Sequence, residues 1–170
     1  MDTSLGPILI VEDDQDHALL IRSVFERRSL GALIHIVSTG PEALDYLEGV
    51  PPYHDRAEHP LPEVIILDLS LPALSGFGPL RWLSESEEHS GFAVLRWLSQ
   101  SEEHSDIPVI VFTSSTDPED ARRAYSLGAR AFKSKPPDFF DLVDVVRDVL
   151  DKWLGPHNLS LGDNDIGQVS

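Results

Sequence analysis

Five short apolar runs punctuate the chain: PILIV at 7–11, LIHIV at 33–37, VIILDL at 64–69, VIVF at 109–112 and AFK at 131–133. Each is strand length and nearly continuous rather than alternating, the pattern of a strand buried on both faces. Amphipathic stretches separate them, and strands that alternate with helices build a parallel sheet covered on both sides. The first helix is predicted over 16–28, with Ala18, Leu19, Ile21, Val24 and Phe25 near helical spacing. A second opens at Gly40-Pro41 and closes at Gly49, with proline in the turn where its missing N–H does no harm. Asp117-Pro118 caps another that Gly128 stops. The last, over 138–154, carries Phe140, Leu142, Val143, Val146, Val149 and Leu150 as its core face. Residues 50–62, with four prolines, read as a loop, and residues 155–170 as a disordered tail.

Composition narrows the function. Asp and Glu number 29 against 13 Lys and Arg, which argues against a nucleic-acid binder, since that needs a basic surface. No run is long enough to cross a bilayer, and no basic region precedes the first apolar run as in a signal peptide. The chain has no cysteine, so disulfides, thiol catalysis and zinc–thiolate sites are excluded. A cytoplasmic protein with one core is the expectation.

In a doubly wound sheet, ligands gather beyond the carboxyl ends of the strands. The first run ends in Glu12, Asp13 and Asp14, the third in Asp68, the fourth in Thr113-Ser114-Ser115, and the fifth leads to Lys135-Pro136. Carboxylates crowded in one crevice repel one another, and a cation relieves that repulsion. Oxygen ligands suit Mg²⁺, which works alongside phosphate. Asp68, on an otherwise apolar run, could attack phosphorus and form an aspartyl phosphate. Thr113 and Lys135 would supply the hydroxyl and the cation that the new phosphoryl oxygens need. Singly, each residue is as well explained as a cap, a turn or a strand former. Their joint order at successive strand ends is what points to chemistry.

The blocks ILIVEDD, VIILDLSLP, VIVFTSS and GARAFKSKP together resemble the response-regulator receiver domain of two-component signalling, over about residues 5–154. The resemblance implies a flavodoxin-like sheet of strand order 2-1-3-4-5 with helices on both faces. It makes Asp68 the phosphoacceptor, Asp13 a direct Mg²⁺ ligand, Glu12 a ligand through water, and the backbone carbonyl of Ser70 a further metal ligand. Thr113 becomes the switch hydroxyl, Phe132 the switch aromatic that turns inward, and Lys135 the conserved lysine, aimed by a cis peptide before Pro136. The role of Asp14 is left open. HPLPEVIILDLSLP and GFAVLRWL are similar to single-domain regulators paired with bacterial phytochrome histidine kinases. The implied protein is a stand-alone receiver, not an enzyme in its own right. It accepts a phosphoryl group from a histidine kinase and signals by contact: relay to a phosphotransfer protein, homodimerisation, or docking on a target. Two readings compete. An aspartate-nucleophile phosphatase would need an acid where Ser70 stands; a receiver-like binding module would not be phosphorylated at all.

One feature lies outside this pattern. GFGPLRWLSESEEHS (76–90) is followed at once by GFAVLRWLSQSEEHS (91–105), and the copies differ only at Gly78/Ala93, Pro79/Val94 and Glu85/Gln100. The duplication falls where one crossover helix is expected, so an extra or lengthened helix is predicted between the third and fourth strands. At about 100° per residue, fifteen residues bring the apolar stripe back about 60° out of phase. Two helices with a break near Ser90-Gly91 are therefore expected, with Gly91 as a helix end. Only one fits the sheet, and the other would leave a Phe, a Trp and two Leu as a partner or homodimer surface.

Overall fold

The computed structural model describes residues 6–28, 33–71 and 90–153. Among the described residues ten elements alternate: β1 (Ile8–Val11), α1 (Gln15–Arg28), β2 (Ile34–Val37), α2 (Gly40–Glu48), β3 (Val64–Leu67), α3 (Ser90–Gln100), β4 (Val109–Thr113), α4 (Pro118–Ser126), β5 (Ala131–Ser134) and α5 (Phe139–Trp153). The strands form one parallel sheet in the order β2-β1-β3-β4-β5, the expected flavodoxin-like topology. β3 lies at its centre, and in the neighbouring β1 Val11 stands opposite Val37 on one side and Leu67 on the other. No helix among the described residues is long and apolar enough to cross a membrane.

Alternation along the buried strands divides the core into two layers. Ile8, Ile10, Ile66, Ile110 and Phe112 pack under α1 and α5, with Ile21, Phe25, Leu142, Val146 and Val149. Leu9, Val11, Ile65, Leu67 and Val111 pack under α2, α3 and α4, with Leu44, Leu47, Phe92, Leu95, Leu98 and Ala124. The predicted Asp117 cap holds, accepting from the Glu119 N–H, and α2 is capped by Thr39, which accepts from the Glu42 N–H. Gly49 takes the left-handed conformation that ends α2, and Gly128, at φ 99°, follows α4.

Two expected core residues lie outside. Leu19 is 58% exposed and Phe140 77% exposed. The buried stripe of α1 runs through Ala18, Ile21 and Phe25, with Leu20 and Val24 beside it. Leu19 stands about 200° from Ile21 and faces water. In α5 the stripe is Leu142, Val146 and Val149, and Phe140 stands about 200° from Leu142.

The crossover after β3 is made by the second copy of the duplicated segment. α3 begins at Ser90 and buries Phe92, Ala93, Val94, Leu95 and Leu98. Residues 76–89 of the first copy fall outside the described residues, as do 154–170. Gly91 is not a helix end. It lies in the first turn of α3, where a Cβ would come within 2.5 Å of the Asp68 carbonyl and of Leu69 Cα. Glycine is required here for close approach of two backbones.

Candidate functional site

Main-chain bonds fix the ends of the strands before any side chain contributes. The Asp68 N–H donates to the Val11 carbonyl at 3.0 Å, and the Glu12 N–H to Val37 at 3.0 Å. The Lys135 N–H donates to Thr113 at 2.6 Å. Sheet pairing thus runs one residue past β1, β3 and β5, bringing Glu12, Asp68 and Lys135 to the same edge of the sheet, the first two on neighbouring strands and the third beyond β4. All three are buried, as is Thr113 at 0% exposure.

The Lys135 ammonium is the centre of the cluster. Its Nζ lies 2.6 Å from Glu12 Oε2, 3.1 Å from Asp68 Oδ2 and 3.3 Å from His17 Nδ1. An ammonium has three hydrogens and no acceptor, so each of these contacts uses one of its donors. His17 Nδ1 then accepts, leaving the imidazole proton on Nε2. Asp68 Oδ1 accepts from the Ser70 N–H at 2.9 Å, so both oxygens of this carboxylate are held. Ser70 Oγ lies 3.1 Å from Thr113 Oγ1 and 3.5 Å from Ser114 Oγ. A short chain of hydroxyls therefore lies beside the acids.

Glu12, Asp13 and Asp68 each offer a carboxylate oxygen, all within 4.8 Å of one another. One lysine does not balance three acids. Burial first, and then the Asp68 charge, push the Glu12 carboxyl up to about 8, while Lys135 pulls the other way. This rise is the sign of a site with surplus negative charge. The donors are hard oxygens, and Asp13 at the rim is open to solvent. This set fits a divalent cation that keeps part of its water shell.

Asp14 stays apart from that set. Its Oδ1 accepts from the Asp16 and His17 N–H groups at 2.9 and 3.2 Å, so it caps α1. Those bonds hold its carboxyl below the usual range. Phe132 is 2% exposed in the core beneath α4, so the inward position expected of the switch aromatic is already taken up. The Lys135-Pro136 bond is not cis, contrary to expectation; among the described residues the cis peptide is Pro51-Pro52. Lys135 is aimed instead by the pairing of its N–H with Thr113.

Sequence reasoning missed His17. Its signal was present: three residues after the Asp14 cap, it lies on the first turn of α1, over the end of β1. Its Nδ1 is 3.8 Å from Glu12 and 3.6 Å from Asp14 as well as facing Lys135.

No family model matches the chain. It is 36% identical over 148 residues to the probable methanogenesis regulatory protein FilR2 of Methanothrix harundinacea, covering 87% of this chain and 83% of that one. The response regulator RPA3017, from red light signaling of R. palustris, is 31% identical with a TM-score of 0.70, over 88% of this chain and 94% of its own. The response regulator Rcp1 of Synechocystis is 26% identical over 86% of this chain and 88% of its own. The Mn²⁺-bound structure of Rcp1 aligns at a TM-score of 0.72, over 87% of this chain and 94% of its own.

Proposed function

The chain belongs to the response-regulator receiver family, and on that premise we propose that Asp68 accepts a phosphoryl group from the phosphohistidine of a histidine kinase, with Mg²⁺ as cofactor. The observation that carries this reading is the buried contact of Asp68 with Lys135 at 3.1 Å, inside a cluster of three carboxylates. An Asp68 oxygen forms the new O–P bond as the P–N bond to the kinase imidazole breaks, and the imidazole leaves with that electron pair and takes up a proton. Lys135 exchanges one carboxylate partner for a phosphoryl oxygen. The Thr113 hydroxyl gives up Ser70 and donates to another. Asp13 and Asp68 would hold the ion directly and Glu12 through water, with the Ser70 carbonyl as a further ligand. When bound, Mg²⁺ supplies neutralisation of the charge on the phosphoryl oxygens. Attack of water on phosphorus later restores the free carboxylate.

The unit that does this is residues 1–154, acting in the cytoplasm. Its kinase is of the phytochrome type, a reading supported by HPLPEVIILDLSLP and by the likeness to a regulator of red light signaling. Output passes by protein contact at the face of α4, β5 and α5, which adjoins Thr113 and Phe132.

The decisive measurement is intact mass after incubation with Mg²⁺ and a small phosphodonor such as phosphoramidate. One added phosphoryl group is expected in the native chain and none in Asp68→Asn. Equal labelling of both would remove Asp68 from the reaction, and no labelling from a donor or a kinase would leave a binding module.

A further inference from the structure

The sheet face between α2 and α4 is closed by the second of two nearly identical segments, and the features that seat it recur in the first. Phe92, Leu95 and Leu98 enter the core. Gly91 lets α3 approach the backbone of Asp68 and Leu69. His104 Nε2 donates to the Leu47 carbonyl at 3.0 Å, and Nδ1 accepts from the Ser101 hydroxyl at 2.8 Å. A carbonyl can only accept, which fixes that tautomer. Fifteen residues upstream, Gly76, Phe77, Leu80, Leu83, Ser86 and His89 repeat this set with the same spacing.

We infer that the seat accepts either copy, so that the chain has a second register in which residues 76–90 close the sheet. Two of the three differences decide which register prevails. Ala93 and Val94 are both buried and stand where the first copy has Gly78 and Pro79. Val94 is the fifth residue of α3, beyond the first turn in which a proline's missing N–H is harmless. A proline there removes a helix hydrogen bond and presses its ring on the preceding turn, and glycine loses more backbone freedom on ordering. Gln100, the third difference, is exposed and does not bias the choice. The second copy is the ground state, and the first is a less stable tenant of the same seat.

The register decides where the surplus chain is attached. With the second copy seated, residues 72–89 join the end of β3, just past Asp68, to α3. With the first seated, the surplus joins α3 to β4 at the opposite end of the strands. Exchange therefore moves fifteen residues away from the phosphoacceptor without altering the sheet. The inference concerns folding and does not depend on the chemistry proposed for Asp68.

Leu98→Asp and Leu83→Asp, made singly and together in the full chain, test it. Urea unfolding and amide hydrogen exchange are the readouts, and the three differing positions give peptides from the two copies distinct masses. Leu83→Asp should leave the unfolding midpoint unchanged. Leu98→Asp should lower it yet keep a cooperative transition, with amide protection moved from the second copy to the first. The double variant should lose the transition. The inference is overturned if Leu98→Asp is as unfolded as the double variant, or stays folded with protection still in the second copy. A folded double variant, or a Leu83→Asp drop as large as that of Leu98→Asp, would overturn it equally.

Discussion

The two faces of the sheet are held by different means. Under α1 and α5, among the described residues, the layer is held by apolar packing from Ile8 and Ile10 to Val146 and Val149, with the Lys135–Glu12–His17 contact beside it. Under α2, α3 and α4 the apolar core is threaded with polar bonds. Arg56 reaches the Tyr46, Leu47 and His59 carbonyls at 2.8–3.1 Å, and Tyr46 donates to Pro60 at 2.9 Å. His104 bonds Leu47, and His35, Tyr46, Tyr53 and His59 pack ring against ring. Apolar burial is non-directional and accepts any side chain of suitable shape. Polar bonds require named partners, because an orphaned buried donor costs its full desolvation. The first face is therefore generic, and the second is specific to the segments that occupy it.

The largest expected difference comes from equal truncations on the two faces. Phe25→Ala under α1 should cost about 3–5 kcal/mol, as a fully buried phenyl lost without replacement. Phe92→Ala should cost less in urea denaturation, because the first copy still carries Phe77 and the register difference caps the loss. Equal costs would erase the contrast between the faces. A smaller effect is expected from His104→Ala, about 1 kcal/mol, because the Leu47 carbonyl loses one of its two donors and keeps Arg56. An unchanged midpoint would mean that the polar bonds of the second face are ornamental.

The smallest effect is in pH. Burial, then the neighbouring His59 and Arg22, hold the His35 imidazole below its ordinary 6.5. A base with a depressed folded value binds more protons when unfolded. Its effect is absent above pH 6.5, and stability falls as pH drops below that value toward the folded one. Urea midpoints measured from pH 7.5 to 5 should show this fall, and His35→Leu should flatten it.

Most of the fold was legible because local signals agreed with the global pattern. Gly49, Gly128 and Asp117 mark helix ends by backbone chemistry that acts within a few residues. The strand-end acids, Thr113 and Lys135 were legible because parallel strands deliver their carboxyl ends to one edge. What escaped depends on phase or on distant contact. Leu19 and Leu20 are both leucine, and a period of 3.6 does not say which faces inward until the Asp14 cap and the sheet fix the rotation. His104 meets Leu47 across 57 residues, a contact that no window of sequence reveals. His17 meets Lys135 across 118 residues, a contact that depends on how α1 docks over β1. Both copies of the repeat carry the same stripe, so the choice between them rests on Ala93 and Val94 meeting a buried surface.

Gly91 also sets a rule for how the crossover can err. With the Asp68 carbonyl 2.5 Å from where a Cβ would stand, a slip of one residue would drive Phe92 or Ser90 into that backbone. Gly78 in the same position would bring Pro79 where Phe92 packs and scatter the leucines. Gly76 alone restores glycine and stripe together, one full repeat away. Slippage in this helix is quantised: the chain moves by fifteen residues or stays where it is.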